Sequence, residues 1–175
     1  MLKIYIIIKN LWGYNIKFID LNKQYQRIKD KTLSNISSIL EKGDFILGDD
    51  VYDLESKLAE YVGVKYCISC ASGTDALLIP LMEQNIGCGD AVFTTNFSYF
   101  STTEVISLVG ATPVFVDINE KTFNINPLSL EEKIKKVIED NRLLPKAIIA
   151  VDLFGQLANY NDLEKIAKKY NLLLI

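Results

Sequence analysis

The run K-Y-C-I-S-C-A-S-G-T-D-A-L-L, residues 65–78, carries the clearest chemical signal in the chain. Residues 66–71 predict a strand, Ser72-Gly73-Thr74-Asp75 a tight passage, and the apolar spacing beyond it a helix over 74–84. That order sets free backbone N–H groups, a glycine and a hydroxyl at the mouth of a helix. Such a mouth binds an anion, most often a phosphate. The helix N-terminus favours an anion by about 0.3–1 kcal/mol, and by up to about 2 kcal/mol when partly buried. The same residues also read as an ordinary capped helix, with Ser72 or Thr74 satisfying orphan N–H groups. Taken alone, they leave both readings open.

Other residue types narrow the chemistry. The chain has no histidine, which removes Ser-His-Asp and Cys-His catalysis and any imidazole shuttle. A catalyst built here must use Lys, a carboxylate, Tyr, Cys or a cofactor. Cys67 and Cys70 form C-x-x-C, but strand residues three apart point to opposite faces, so core packing is the expectation. Cys88 falls in the turn Gly87-Cys88-Gly89-Asp90. Three cysteines without framework spacing suggest a reducing cytosol and a cytoplasmic protein. A net charge of −3 argues against a nucleic-acid face. Lys133, Lys135 and Lys136, like Lys165, Lys168 and Lys169, lie beside acids at helical spacing and read as solvated helix faces.

These residues need elements to hold them. The 175 residues suit one domain with a real core. Helical spacing begins after Asp20 and stops at Gly43, and a second helix fits 51–62 before Gly63. Strands at 66–71, 91–95, 112–116, 146–151 and 172–175 then alternate with helices at 74–84, 99–109, 130–140 and 161–170. The pattern predicts an α/β fold, a mainly parallel sheet with flanking helices. Ligands sit at the carboxyl ends of such strands. Gly73, residues 95–99 and residues 152–156 all follow strand ends and should converge. Residues 1–15 read as a poorly ordered extension, whose apolar run Ile4 to Ile8 is too short to span a membrane. Residues 16–175 read as an incomplete domain, because Leu172-Leu173-Leu174-Ile175 is a buried-strand pattern with nothing after it.

Three segments together resemble the DegT/DnrJ/StrS family of pyridoxal-phosphate-dependent sugar aminotransferases. They are Ser72-Gly73-Thr74-Asp75-Ala76-Leu77, the stretch from Asp90 through Asn96-Phe97-Ser98-Tyr99 to Asp117, and Val151-Asp152-Leu153-Phe154-Gly155-Gln156. Phe18-Ile19-Asp20-Leu21 and the turn Phe45-Ile46-Leu47-Gly48 are similar to the family too. Phe18 to Lys31 and Lys65 to Leu78 most resemble enzymes that aminate C3 of a UDP-3-keto-N-acetylglucosaminuronic acid for bacterial surface polysaccharide such as lipopolysaccharide.

The resemblance implies a fold-type-I large domain, pyridoxal 5'-phosphate as cofactor, a nucleotide-linked keto sugar as acceptor, glutamate as amino donor, and a homodimer. By it, Gly73 and Thr74 match the phosphate-binding pair and Tyr99 the aromatic that stacks on the cofactor ring, where relatives carry Phe or Trp. Gln156 and Asp152 end a strand on the cofactor side, although each also fits a plain turn cap. Glu104 reads as a surface or interface residue. In the family an acid pairing with the pyridinium nitrogen and the Schiff-base lysine follow the strand that reaches Ile175 here. No lysine of this chain stands in a matching context, so the chain by itself is expected to be inactive. Two alternatives stand beside the transferase: an inactive remnant that binds a phosphate ligand or a partner, and a pyridoxal-phosphate sugar dehydratase of the same fold.

Overall fold

The structure is a computed structural model that describes residues 19–175. The expected extension at 1–15, the run Ile4 to Ile8 and Phe18 lie outside the described residues. Two compact units are present, one ending at Ser69 and one spanning Cys70–Ile175.

In the first unit, α1 (Leu21–Lys42) starts where Asp20 Oδ1 accepts the Lys23 N–H at 3.1 Å. It ends at Gly43, whose φ of 70° lets its N–H turn back to the Ile39 carbonyl. No residue of α1 is buried, and Leu21, Tyr25, Ile28, Leu33, Ile36 and Leu40 are exposed. Helix α2 (Asp49–Val62) stops at Gly63 in the same left-handed way. Its Glu55 carboxylate accepts the N–H and the hydroxyl of Ser69, both at 2.7 Å. These bonds hold the Glu55 carboxyl below its usual range.

The second unit is built on a four-stranded parallel sheet in the order β2-β1-β3-β4, where β1 is Asp90–Thr95, β2 Thr112–Val116, β3 Leu144–Ile148 and β4 Leu173–Leu174. Side chains along β1 alternate between two cores, as a period of two requires. Ala91 and Phe93 pack with Leu130, Ile134 and Leu163 from α5 (Pro127–Asp140) and α6 (Tyr160–Tyr170). Val92 packs with Leu81 from α3 (Gly73–Glu83) and with Val105 and Ile106 from α4 (Ser101–Leu108). Every residue of β1 is buried, which marks the centre of a sheet covered on both faces.

The expected alternation and parallel sheet are present. The strand predicted over 146–151 begins two residues earlier, at Leu144, and its ladder carries on as Ile149 N–H donates to the Phe93 carbonyl. Helix α5 also begins earlier, because Asn126 caps it and Pro127 opens it. Two expectations fail. Residues 66–71 form no strand, because no backbone ladder among the described residues takes them up; Tyr66 and Ile68 are exposed. For the same reason the C-x-x-C pair is not core: Cys67 is half-buried and Cys70 exposed. The lysine-rich faces are solvated as expected, with Lys165 and Lys168 on Asp162 and Glu164, and Lys135 and Lys169 on Glu131.

Phe93 is fully buried at the centre of the sheet. Replacing it with alanine should lower the stability of the Cys70–Ile175 unit by about 3–5 kcal/mol. Urea unfolding followed by far-ultraviolet circular dichroism checks this as a fall in midpoint at constant slope. An unchanged midpoint would contradict this core.

Candidate active site

The crossover pattern dictates where a ligand can sit. The chain leaves β1 through α4 toward β2, then crosses back through α5 to β3 on the other side of β1. The loops after β1 and β3 therefore diverge, and a crevice opens between them at the carboxyl ends. Thr94 pins this point, donating its buried Oγ1 to the Ile149 carbonyl at 3.0 Å.

A cleft of about 520 Å³ opens there, lined by Gly73 and Thr74 from α3, Ser98, Tyr99 and Thr102 around the start of α4, and Asp152, Leu153 and Phe154 after β3. The structure thus brings together Gly73, Thr74, Tyr99 and Asp152, four of the residues singled out in the sequence. Gln156 is exposed on the same loop and is not among the lining residues. Glu104 is half-buried in α4. A second hollow, of about 600 Å³, lies at the starts of α5 and α6. Its Lys165 and Lys169 already face Asp162 and Glu131, and it holds no residue from the loop after β1.

The start of α3 is capped and still available. Ser72 Oγ accepts the Asp75 N–H at 3.1 Å and donates to Asp75 Oδ2 at 2.9 Å, while Ala76 N–H closes on the Ser72 carbonyl. Gly73 and Thr74, the first two helical residues, keep their N–H groups at the cleft. Gly73 is not required by the backbone, since its φ lies outside the left-handed region. A Cβ placed there meets no atom within 4 Å. What the missing side chain does is leave the amides open to close approach, as an anion cradle needs. Tyr99 is 78% exposed just before α4 and lines the cleft, so its ring is accessible there. Ser98 and Thr102 hydroxyls lie 3.1 Å apart and tie that turn to the helix.

The opposite wall is the loop after β3. Asp152 Oδ1 accepts the Ala158 N–H at 2.8 Å and the Tyr160 hydroxyl at 3.1 Å. Burial, followed by the bond to Asp152 and its charge, pushes the Tyr160 phenol above its ordinary value of 10.0. Inside the loop, residues 153–155 form one 3₁₀ turn in which Phe154 adopts φ 59°. Phe97, Phe123 and Phe154, one from each loop after β1, β2 and β3, meet with ring centroids 5.8–6.5 Å apart. The sequence reading missed this triad and the buried Asn124 beside it. Their signal was an aromatic in every strand-end loop on the ligand side.

An α/β sheet with an open helix start, an exposed ring and an acidic loop around its switch point belongs to the class of open α/β domains that take ligands at the carboxyl ends of their strands. Residues 26–175 match the DegT/DnrJ/EryC1/StrS aminotransferase family, and the chain belongs to that family. It is 47% identical over 160 residues to the UDP-2-acetamido-2-deoxy-3-oxo-D-glucuronate aminotransferase of Pseudomonas aeruginosa, covering 91% of this chain and 43% of that one. Among solved structures, a DegT/DnrJ/EryC1/StrS aminotransferase from Brucella abortus superposes with a TM-score of 0.89 at 47% identity, over 91% of this chain and 43% of that one. The NtdA protein of Bacillus subtilis with bound cofactor PMP superposes with a TM-score of 0.82 at 27% identity, over 95% and 38%. The chain thus spans about two-fifths of the length of these relatives. Among the described residues, no helix is long and apolar enough to cross a membrane.

The Tyr160–Asp152 bond makes a signed prediction. Its phenol has a raised folded pKa, so its contribution is complete below pH 10 and is lost as pH rises through the folded value. A phenolate absorbance titration, taken as the protein minus its Tyr160→Phe variant, should show this tyrosine ionising above pH 10. Ionisation at or below pH 10 would contradict the half-buried, acid-facing placement.

Proposed function

We propose that the protein is a pyridoxal-phosphate-dependent aminotransferase that delivers an amino group to C3 of a UDP-linked 3-keto sugar, an N-acetylated uronic acid, with glutamate as donor. The observation that carries this is the switch-point cleft, where an anion cradle, a ring face and a polar loop surround one space in a chain of this family. The substrate follows from the Pseudomonas aeruginosa relative, whose name specifies a 3-oxo-glucuronate. On this reading the protein works in the cytosol, as a homodimer, in surface-polysaccharide synthesis.

The lining residues fit the cofactor. Gly73 and Thr74 N–H groups and the Thr74 hydroxyl would take its phosphate, a dianion suited to the start of α3. The exposed Tyr99 ring would stack on the pyridine, worth about 0.5–1.5 kcal/mol beyond area burial. Asp152 is held by Ala158 and Tyr160, which aims it from the opposite wall. Gln156 stands on the same loop but outside the cleft lining, so no cofactor contact is assigned to it. When bound, the cofactor supplies the amino carrier and electron sink that no side chain can provide. No lysine lines the cleft among the described residues. These residues therefore hold and orient the cofactor, and this chain alone should bind without turning over.

Two measurements test the reading. Pyridoxamine phosphate should bind the chain, and pyridoxamine lacking the phosphate should not. Tyr99→Ala should weaken binding by roughly threefold to tenfold, the stacking contribution expressed as affinity. Equal binding of both compounds, or no effect of Tyr99→Ala, would remove the assigned roles. The whole protein from its native cells should convert a UDP-3-keto-N-acetyl uronic acid and glutamate to the 3-amino sugar. Inactivity on that sugar, with activity on a 4-keto sugar, would refute the C3 assignment.

A further inference from the structure

We infer that Asn124 is the positioning residue of the cleft wall after β3, setting where Asp152, Leu153 and Phe154 stand. The inference rests on the cofactor reading of the cleft for its functional consequence, but not for its geometry.

Asn124 is 4% exposed and stands in the loop after β2. Its Nδ2 donates to the carbonyls of Gln156 at 2.9 Å and Leu157 at 3.0 Å, while its Oδ1 accepts the Leu153 N–H at 3.2 Å. An asparagine amide has two donor hydrogens and an acceptor oxygen, and here all of these functions face one loop. No other side chain of this size supplies both. Aspartate keeps the acceptor and loses both donors, and alanine loses everything.

The loop depends on this help. Its own bonds close only its corner: Gly155 N–H on the Asp152 carbonyl, Gln156 N–H on the Leu153 carbonyl, and Ala158 N–H on Asp152 Oδ1. The Gln156 and Leu157 carbonyls point instead at Asn124. Asn124 is itself fixed by a small closed frame. Asn119 N–H donates to the Asn124 carbonyl at 2.8 Å, Phe123 N–H to the Asn119 carbonyl at 2.8 Å, and Ile118 bridges Ile125. Asn119 Oδ1 takes the N–H groups of Lys121 and Thr122, which tightens the same turn.

A second contact joins the same two loops. Phe123 and Phe154 both adopt left-handed backbone, φ 60° and 59°, a costly choice for an aromatic residue. Their rings meet edge to face at 6.4 Å, with Phe97 completing the group. Phe154 lines the cleft. Asn124 therefore acts on the cleft from behind, through the backbone of the wall, and touches no ligand itself.

The test compares the protein with Asn124→Ala and Asn124→Asp by hydrogen exchange and mass spectrometry, and by pyridoxamine phosphate binding. Peptides covering 151–158 should exchange roughly tenfold faster in both variants, while those covering β1 and β3 keep their protection. Pyridoxamine phosphate should bind about tenfold more weakly. The aspartate variant is nearly isosteric and keeps the Leu153 bond, so it answers the question even where alanine fails to fold. Unchanged exchange of 151–158 would overturn the inference. So would loss of protection spread evenly over the sheet, the mark of a merely structural residue. Failure of the unmodified protein to bind pyridoxamine phosphate would instead refute the cofactor reading, and the exchange of 151–158 would still decide whether Asn124 holds the wall.

Discussion

The pairing of β1 with β3 is the constraint on which the rest depends. β1 is buried along its whole length, and its two neighbours are reached by crossovers that run in opposite directions. Two parallel strands whose following chains depart to opposite sides cannot close the space above their carboxyl ends. The Thr94 hydroxyl on the Ile149 carbonyl locks that junction in the buried interior, where an unmet hydroxyl would cost about 1–3 kcal/mol. The cleft is thus a consequence of topology, and the residues around it differ only in what they present to it.

Three elements use that space in different ways. The start of α3 contributes backbone, with Ser72 fixing the helix end while Gly73 leaves the amides accessible. The turn before α4 contributes a ring. The loop after β3 contributes a carboxylate, and this element has the least regular structure of its own. Its shape is imposed from outside, by Asn124 on one flank and by Tyr160 on the other. A site built this way combines a helix end fixed by local rules with a wall held both by near neighbours, Ala158 and Tyr160, and by Asn124, which lies 29 residues before Leu153 in sequence.

The two cores explain why the arrangement holds. Helices α5 and α6 cover one face of the sheet, and α3 and α4 the other. The cover that carries Leu81, Val105 and Ile106 therefore also carries Gly73, Thr74 and Tyr99 to the cleft. Packing of apolar side chains against Val92 and Ile149 sets the height at which Gly73 and Tyr99 meet the cleft. Burial drives this coupling; the ion pairs of α6, such as Lys168 on Glu164, are exposed and contribute little.

By itself the sequence determined the elements and their order, because local physics decides both. The alternation of strand-length with helix-length runs marked β1, β2 and the helices between them, and Gly43 and Gly63 ended their helices where a left-handed residue was needed. The capped helix start was equally legible, since Ser72 to Asp75 carries its own cap. Only the tertiary structure decided the rest. Residues 66–71 have the pattern of a strand, yet a strand exists only with a hydrogen-bonded neighbour, and the described residues give them none. Asn124 gave no local pattern, and the aromatics Phe97, Phe123 and Phe154, though each stands in a strand-end loop, form a group only through partners on another loop. Gln156 and Asp152 looked equivalent in sequence, four residues apart at one strand end. The turn at Phe154 separates them, leaving Asp152 in the cleft wall and Gln156 outside its lining, because a left-handed residue reverses the chain between them.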